Sequence, residues 1–222
     1  IRSGPPGGGG GPIPWTAVDT MHVSLVAAVS SGGAILGCDA DSADLNRSTD
    51  DGETWTVVLT QTSGPSTNAV NAVGYAGTTW LAVCNGSKAY TSSDGGVTWS
   101  APISLPDIGD LRSCAGDGAG NWVAFGTGNS SDPTQCCATS ADGGATWTLV
   151  TITSAAFGFY SYTALYDSVN SQFVAMGIDT DSVIGIYTSP TGSTWTKHAF
   201  DSGVIGCSGR LAFDGTHFLA AV

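Results

Sequence analysis

Apolar residues along this chain gather in short runs that recur. Five runs are nearly continuous: AILGC at 34–38, TWLAVC at 79–84, NWVAFG at 121–126, QFVAMG at 172–177 and HFLAAV at 217–222. A continuous run of this length between turn residues predicts a strand covered on both faces. Within each run a bulky residue is followed two places later by a small one: Ile35 and Gly37, Trp80 and Ala82, Trp122 and Ala124, Phe173 and Ala175, Phe218 and Ala220. Residues two apart on a strand share a face, so this spacing lets the side chains of neighbouring sheets interdigitate.

Other short segments surround each run. One precedes it, at 22–29, 68–75, 110–117, 162–169 and 209–215. A third follows at 44–49, 87–92, 135–140 and 183–189, and a fourth carries a tryptophan near its start, at 54–60, 98–104, 146–152 and 194–200. All are rich in β-branched and aromatic residues and are bounded by Gly, Asp, Asn or Ser, which are strand and hairpin signals. None shows a helical period. Four strands per repeat, with one covered on both faces, require sheets stacked around an axis. The predicted fold is therefore all-β, a β-propeller of four-stranded antiparallel blades.

Between the third and fourth segments the chain writes nearly the same phrase four times. It reads RSTDDGETW at 47–55, TSSDGGVTW at 91–99, TSADGGATW at 139–147 and TSPTGSTW at 188–195. The first three share Ser48, Asp50, Gly52 and Trp55; Ser92, Asp94, Gly96 and Trp99; and Ser140, Asp142, Gly144 and Trp147. The fourth keeps Gly192 and Trp195 but has lost the Asp and one residue of the turn. An Asp in a tight turn accepts bonds from nearby backbone N–H groups, Gly tolerates positive φ, and a Trp leaving the turn buries a large surface. Loss of the Asp in one copy fits a turn-forming role, with Pro190 as a substitute, better than a chemical one.

The repeats set the expected boundaries. Residues 1–14 (IRSGPPGGGGGPIP) read as a Gly/Pro-rich arm or linker, and 15–222 as the propeller. WTAV at 15–18 looks like an outgoing segment, and 209–222 supplies a first and a second segment. Four repeats are thus complete and a fifth is split between the termini, without a third strand. The expectation is about five blades in this chain, in a five-membered ring or as part of a ring of six or seven that continues past Val222. The chain opens on Ile1 rather than Met, which reads as a processed or excerpted piece of something longer.

Charge narrows the partners. Six Lys and Arg stand against 18 Asp and Glu, for a formal net charge of −12. Neither phosphate neutralisation nor a polybasic membrane anchor is compatible with that balance, so nucleic-acid binding is not expected. No apolar run reaches the length of a membrane span, and membrane insertion is not expected either. The six cysteines, Cys38, Cys84, Cys114, Cys136, Cys137 and Cys207, match no zinc spacing. They read first as buried small hydrophobes, and second as one or two disulfides.

The phrase at 48–55, 92–99 and 140–147 resembles the Asp-box, or BNR repeat. That repeat occurs in sialidases, sortilin-type receptors, xyloglucan hydrolases, photosystem assembly factors, and phage and bacterial surface proteins. The wider pattern over 15–222 is similar to the sialidase-like propellers of phage virion proteins and secreted bacterial proteins. The resemblance implies that the Asp-box is a structural hairpin, away from the active face. Sialidases add three clamping arginines, an Asp acid/base and a Tyr/Glu nucleophile pair. Here no FRIP-like motif is present, and Arg47 falls on a third segment while Arg112 and Arg210 fall on first segments, so an arginine clamp is not expected.

These readings imply a non-enzymatic structural or interaction propeller, extracellular or virion-associated, as part of a larger particle. Its expected partners are surface glycans or other coat proteins, with no cofactor and no metal. The candidate binding loops are 39–44, 127–134 and 178–182. The alternative is a sialidase-like or other glycoside hydrolase. It would draw two carboxylates from Asp39, Asp41, Asp44, Asp132, Asp179 and Asp181. Asp39 with Asp41, or Asp179 with Asp181, would be the acids available to a hard cation. His22, His198 and His217 stand singly on strands or strand ends and read as packing or edge residues.

Overall fold

The structure, a computed structural model, describes residues 2–3, 15–16, 25–39, 42–60, 69–129, 131–132, 134–152, 157–179, 184–199, 210–213 and 218–221. Every described element is a strand. β1 (Arg2–Ser3) and β2 (Trp15–Thr16) form a two-stranded antiparallel sheet. Blade 1 comprises β3 (Leu25–Ser31), β4 (Ala34–Asp39), β5 (Leu45–Ser48) and β6 (Thr56–Leu59). Blade 2 comprises β7 (Val70–Ala76), β8 (Thr79–Cys84), β9 (Lys88–Ser92) and β10 (Ile103–Ser104). Blade 3 comprises β11 (Leu111–Gly116), β12 (Trp122–Gly126), β13 (Cys137–Ser140) and β14 (Thr148–Val150). Blade 4 comprises β15 (Phe157–Asp167), β16 (Gln172–Asp179), β17 (Ile184–Ser189) and β18 (Thr196–Ala199). A further pair, β19 (Arg210–Phe213) and β20 (Phe218–Ala221), follows.

Each blade is an antiparallel meander with its strands in chain order. The first strands of successive blades lie against one another, from β3 to β7, β11, β15 and β19. All four full blades carry a β-bulge in that first strand, for example between Leu25 and Ala27 and between Val70 and Ala72. A bulge adds local twist, which the strands crowded toward the axis need.

The second strands are sealed on both faces, as their continuous apolar runs predict. Residues of β8 alternate between two interfaces. Trp80, Ala82 and Cys84 join Leu36, Cys38 and Leu45 in the core toward blade 1, while Leu81 and Val83 join Trp122 and Ala124 in the core toward blade 3. β12 repeats this, with Val123 and Phe125 facing Phe173 and Ala175 of blade 4. Trp80, Trp122 and Phe173 thus pack back on the preceding blade. A small residue receives Trp122: a Cβ on Gly74 of β7 would lie 3.0 Å from Cys114 Sγ and 3.1 Å from Trp122 Cζ3.

Within the expected arm, Arg2–Ser3 is extended and pairs with Trp15–Thr16 in register Arg2 to Thr16 and Ser3 to Trp15. A Gly/Pro-dominated composition hides a two-residue strand, because pairing satisfies backbone groups whatever the flanking residues are. β2 therefore finds its partner in the arm, and β19 and β20 form their own two-stranded sheet. Cys38, Cys84, Cys114, Cys136 and Cys137 are free thiols, all buried; Cys207 lies outside the described residues. Burial pushes Cys38 and Cys136 up to about 12, so they stay protonated and act as small core residues.

Blade stacking predicts a sharp contrast between sites. Trp122→Ala is expected to cost about 3–5 kcal/mol in urea unfolding, because Trp122 is 1% exposed and fills the joint between blades 2 and 3. Val169→Ser, at a turn position 64% exposed, is expected to change stability by less than about 0.5 kcal/mol.

Candidate functional site

The repeated phrases form the hairpins between the third and fourth strands. In the first, the buried Ser48 hydroxyl donates to Asp50 Oδ1 at 2.7 Å and accepts the Gly52 N–H at 2.9 Å. Asp50 also accepts the Thr54 N–H at 2.9 Å and the Thr54 hydroxyl. The second and third copies repeat the bonds with Ser92, Asp94, Gly96 and Thr98, and with Ser140, Asp142, Gly144 and Thr146. The threonine before each tryptophan is a partner the sequence reading missed. Its signal was present, since Thr54, Thr98, Thr146 and Thr194 recur in all four copies.

These bonds fix the charge of the carboxylates. The Thr54 hydroxyl and N–H, then Ser48, hold Asp50 down at about 2, and Thr146 with Ser140 does the same for Asp142. Thr98 and Ser92 hold Asp94 well below the usual carboxylate range. Each acid is ionised and turned inward on its own turn.

The fourth hairpin closes without an Asp. Ser189 Oγ accepts the Gly192 N–H at 2.8 Å, and the Thr191 and Ser193 hydroxyls bond at 2.7 Å. Ser189 and Thr191 hold the turn, whereas Pro190 is exposed and makes none of these bonds. The deleted residue lies between Ser189 and Gly192, so Ser189 still reaches the glycine N–H.

The glycines of the second, third and fourth hairpins also meet the blade before them. A Cβ on Gly96 would lie 2.7 Å from Leu36 Cδ2 of blade 1, one on Gly144 3.2 Å from Thr91 Cγ2 of blade 2, and one on Gly192 2.5 Å from Val123 Cγ1 of blade 3. Arg47 of β5 adds a bond from its Nε to the Gly95 carbonyl at 2.8 Å. Arg47 is thereby committed to a blade joint, while Arg112 forms an exposed pair with Asp110 at 3.3 Å and Arg210 opens β19.

Three tryptophans clip back on their hairpins: the indole N–H donates to the glycine carbonyl from Trp55 at 3.1 Å, and from Trp147 and Trp195 at 2.9 Å. Trp99 does not, and its buried indole nitrogen has no partner.

The candidate loop acids are largely occupied by their own loops. Asp39 Oδ2 accepts from Ser42 at 2.8 Å, and Asp132 accepts from Thr134 and Gln135. Hydrogen bonds from Thr134 hold Asp132 below the ordinary carboxylate range. Asp44 lies at the foot of β5, and Asp179 ends β16. Asp41, Asp181, His22 and His217 lie outside the described residues, as does most of loop 178–182. No group of three or more metal-holding side chains occurs among the described residues. His198 Nε2 bonds the Thr188 hydroxyl at 2.9 Å on the exposed side of β18. Sequence reading also missed a second set of Asp-closed turns, between first and second strands. There Asp117 accepts from Ala119 and Asn121, and Asp167 from Val169 and Asn170. Their signal was the recurring Asp-x₂₋₃-Asn spacing.

No family model matches the chain. No curated protein matches it in sequence. Solved structures do match in shape. YCF48 from Cyanidioschyzon merolae is 18% identical, with a TM-score of 0.58 over 86% of this chain and 60% of that one. An ancestral GH74 enzyme is 17% identical, with a TM-score of 0.60 over 81% of this chain and 24% of that one. A chain of the nidogen/laminin complex is 13% identical, with a TM-score of 0.56 over 77% of this chain and 62% of that one. The chain spans less than two thirds of the length of these proteins. At such identities the likeness defines the fold alone: the protein is a β-propeller.

Two outcomes test the hairpins. Gly96→Ala is expected to destabilise more than Gly143→Ala. Both residues have positive φ, +78° and +76°, but a Cβ on Gly143 meets open space while one on Gly96 meets Leu36. The difference between their urea midpoints isolates the blade joint from the backbone strain of about 1 kcal/mol that both share. Acid titration follows from the lowered carboxylates. A depressed folded pKa stabilises above the unfolded value, 3.8, and that stabilisation is lost as pH falls toward the folded value of about 2 for Asp50 and Asp142. The thermal midpoint is expected to fall between about pH 4 and pH 2, and less steeply in an Asp50→Asn, Asp94→Asn, Asp142→Asn triple variant.

Proposed function

We propose that this chain is a non-enzymatic interaction propeller whose hairpins are Asp-box, or BNR, repeats. One observation carries the reading: the acids that recur with the fold, Asp50, Asp94 and Asp142, are consumed as acceptors inside their own turns. A carboxylate held ionised by three donors is a poor proton donor, and these three sit on separate blades. A glycosidase needs two carboxylates roughly 5–10 Å apart, poised on either side of a sugar bond. The loop acids Asp39 and Asp132 are instead tied to Ser42 and to Thr134 with Gln135.

The acidic, sparsely charged composition and the resemblance to virion and secreted propellers support a place outside a cell or on a virion, with surface glycans or assembly proteins as partners. The structural neighbours include both a hydrolase and a chain from a protein–protein complex, so fold likeness is compatible with binding and with catalysis. Incubating the purified chain with a glycan array and a hydrolysis panel separates the two. Retention of a glycan without release of reducing ends is the expected outcome, and release of reducing ends overturns the reading.

A further inference from the structure

The pair formed by β1 and β2 copies the outgoing half of a blade. In blades 1, 3 and 4 the residue after the tryptophan pairs with the residue before the hairpin serine: Thr56 with Arg47, Thr148 with Thr139, and Thr196 with Thr188. Thr16, which follows Trp15, pairs in the same way with Arg2, which precedes Ser3. The four residues repeat Arg47, Ser48, Trp55 and Thr56 in kind. The tip differs: GPPGGGGGPIP at 4–14 stands where TDDGET stands at 49–54, with neither the Asp nor the Thr. β1 therefore has the position of a third strand, and β2 that of a fourth.

β19 and β20 supply the incoming half. Phe213 with Phe218 and Ala212 with Leu219 repeat the pairing of Tyr75 with Trp80 and Gly74 with Leu81. β19 lies against β15 as β15 lies against β11. The two halves are separate two-stranded sheets, so among the described residues β20 and β1 each keep an unpaired edge.

Blade 1 carries the marks of a blade before it. Asn46 lies opposite Gly37, and the residues in that position of blades 2 and 4, Tyr90 and Tyr187, pack toward the preceding blade. Asn46 is 4% exposed although no full blade precedes blade 1. Gly52 is buried like Gly96, Gly144 and Gly192, yet among the described residues a Cβ there meets only its own Trp55, at 3.6 Å. Next to it Asp51 takes the left-handed conformation, φ 57°, at the position held by Gly95 and Gly143. Arg47 of blade 1 donates to the Gly95 carbonyl of blade 2. Arg2, in the position of Arg47, has Asp51 as the corresponding partner, whose carboxylate offers a counter-charge that a glycine lacks.

We infer that β1 is the third strand of a fifth blade and pairs along the free edge of β20, in the order β19-β20-β1-β2. The register is set by the full blades, where the hairpin serine lies opposite the bulky residue of the second strand: Ser48 opposite Ile35, Ser92 opposite Trp80, Ser140 opposite Trp122 and Ser189 opposite Phe173. Ser3 accordingly stands opposite Phe218, and Arg2 opposite Leu219. The strand that the fifth repeat was expected to lack is Arg2–Ser3. Pairing satisfies the backbone groups on both edges and removes a template for association. The occupant is this chain's own hairpin rather than that of a second copy, because residues 17–24 alone separate β2 from β3 and hold the hairpin beside blade 1 at a high effective concentration.

Nuclear Overhauser effects on the full chain test the register. One of the two pairs, Arg2 with Leu219 or Ser3 with Phe218, is a non-hydrogen-bonded pair with Cα atoms about 4.5 Å apart, and its Hα–Hα cross-peak is expected. Deleting residues 1–3 is expected to speed amide exchange in β20 at least about tenfold and to lower the thermal midpoint. Arg2→Asp and Asp51→Arg are each expected to lower the midpoint, and the double variant to regain most of the loss, which keeps the test readable if the deleted chain fails to fold. Sedimentation is expected to show a monomer. Cross-peaks in another register, or none between these strands, overturn the inference, as does β20 exchange that is indifferent to the deletion. A dimer that dissociates when residues 1–3 are removed overturns closure within one chain and assigns the strand to a second copy.

Discussion

A strand buried on both faces cannot exist in a single sheet exposed to water, and this constraint organises the whole molecule. β4, β8, β12 and β16 carry apolar residues at successive positions, so each sends alternate side chains to opposite sides of its sheet. For β8 and β12 one side is sheltered by the preceding blade and the other by the following one. Trp80 and Trp122, both 1% exposed, fill one side of their strands, while Leu81 and Val123 fill the other. Stacking is therefore required for the burial of these strands.

The hairpins settle how the blades stack. Ser, Asp and Thr close the turn by side-chain bonds, which leaves the glycine backbone free to lie directly on the neighbour. Gly96, Gly144 and Gly192 approach so closely that a methyl group would collide or crowd at each joint. The Asp is thus a support for a contact made by another residue. That division explains why the fourth copy tolerates its loss: Ser189 and Thr191 still shape the turn, and Gly192 still meets Val123.

Much of the fold was legible because its two signals are local. Continuous apolar runs marked the double-faced strands, and the repeated phrase marked the hairpins. Two features were not. The role of Thr54 and its counterparts required the turn geometry, since a Thr before a Trp has no distinctive pattern within one copy. The pairing of Arg2–Ser3 with Trp15–Thr16 was hidden by the glycines and prolines around it.

The joints also have a direction. In blades 2, 3 and 4 the hairpin rests on the blade before it, as Gly96 does on Leu36, Gly144 on Leu81 and Thr91, and Gly192 on Val123 and Thr139. A chain synthesised from its N-terminus thus meets its contacts in order, each new hairpin arriving after the surface that receives it. The clasp works like a ratchet pawl: each of these three blades is locked to the structure already made.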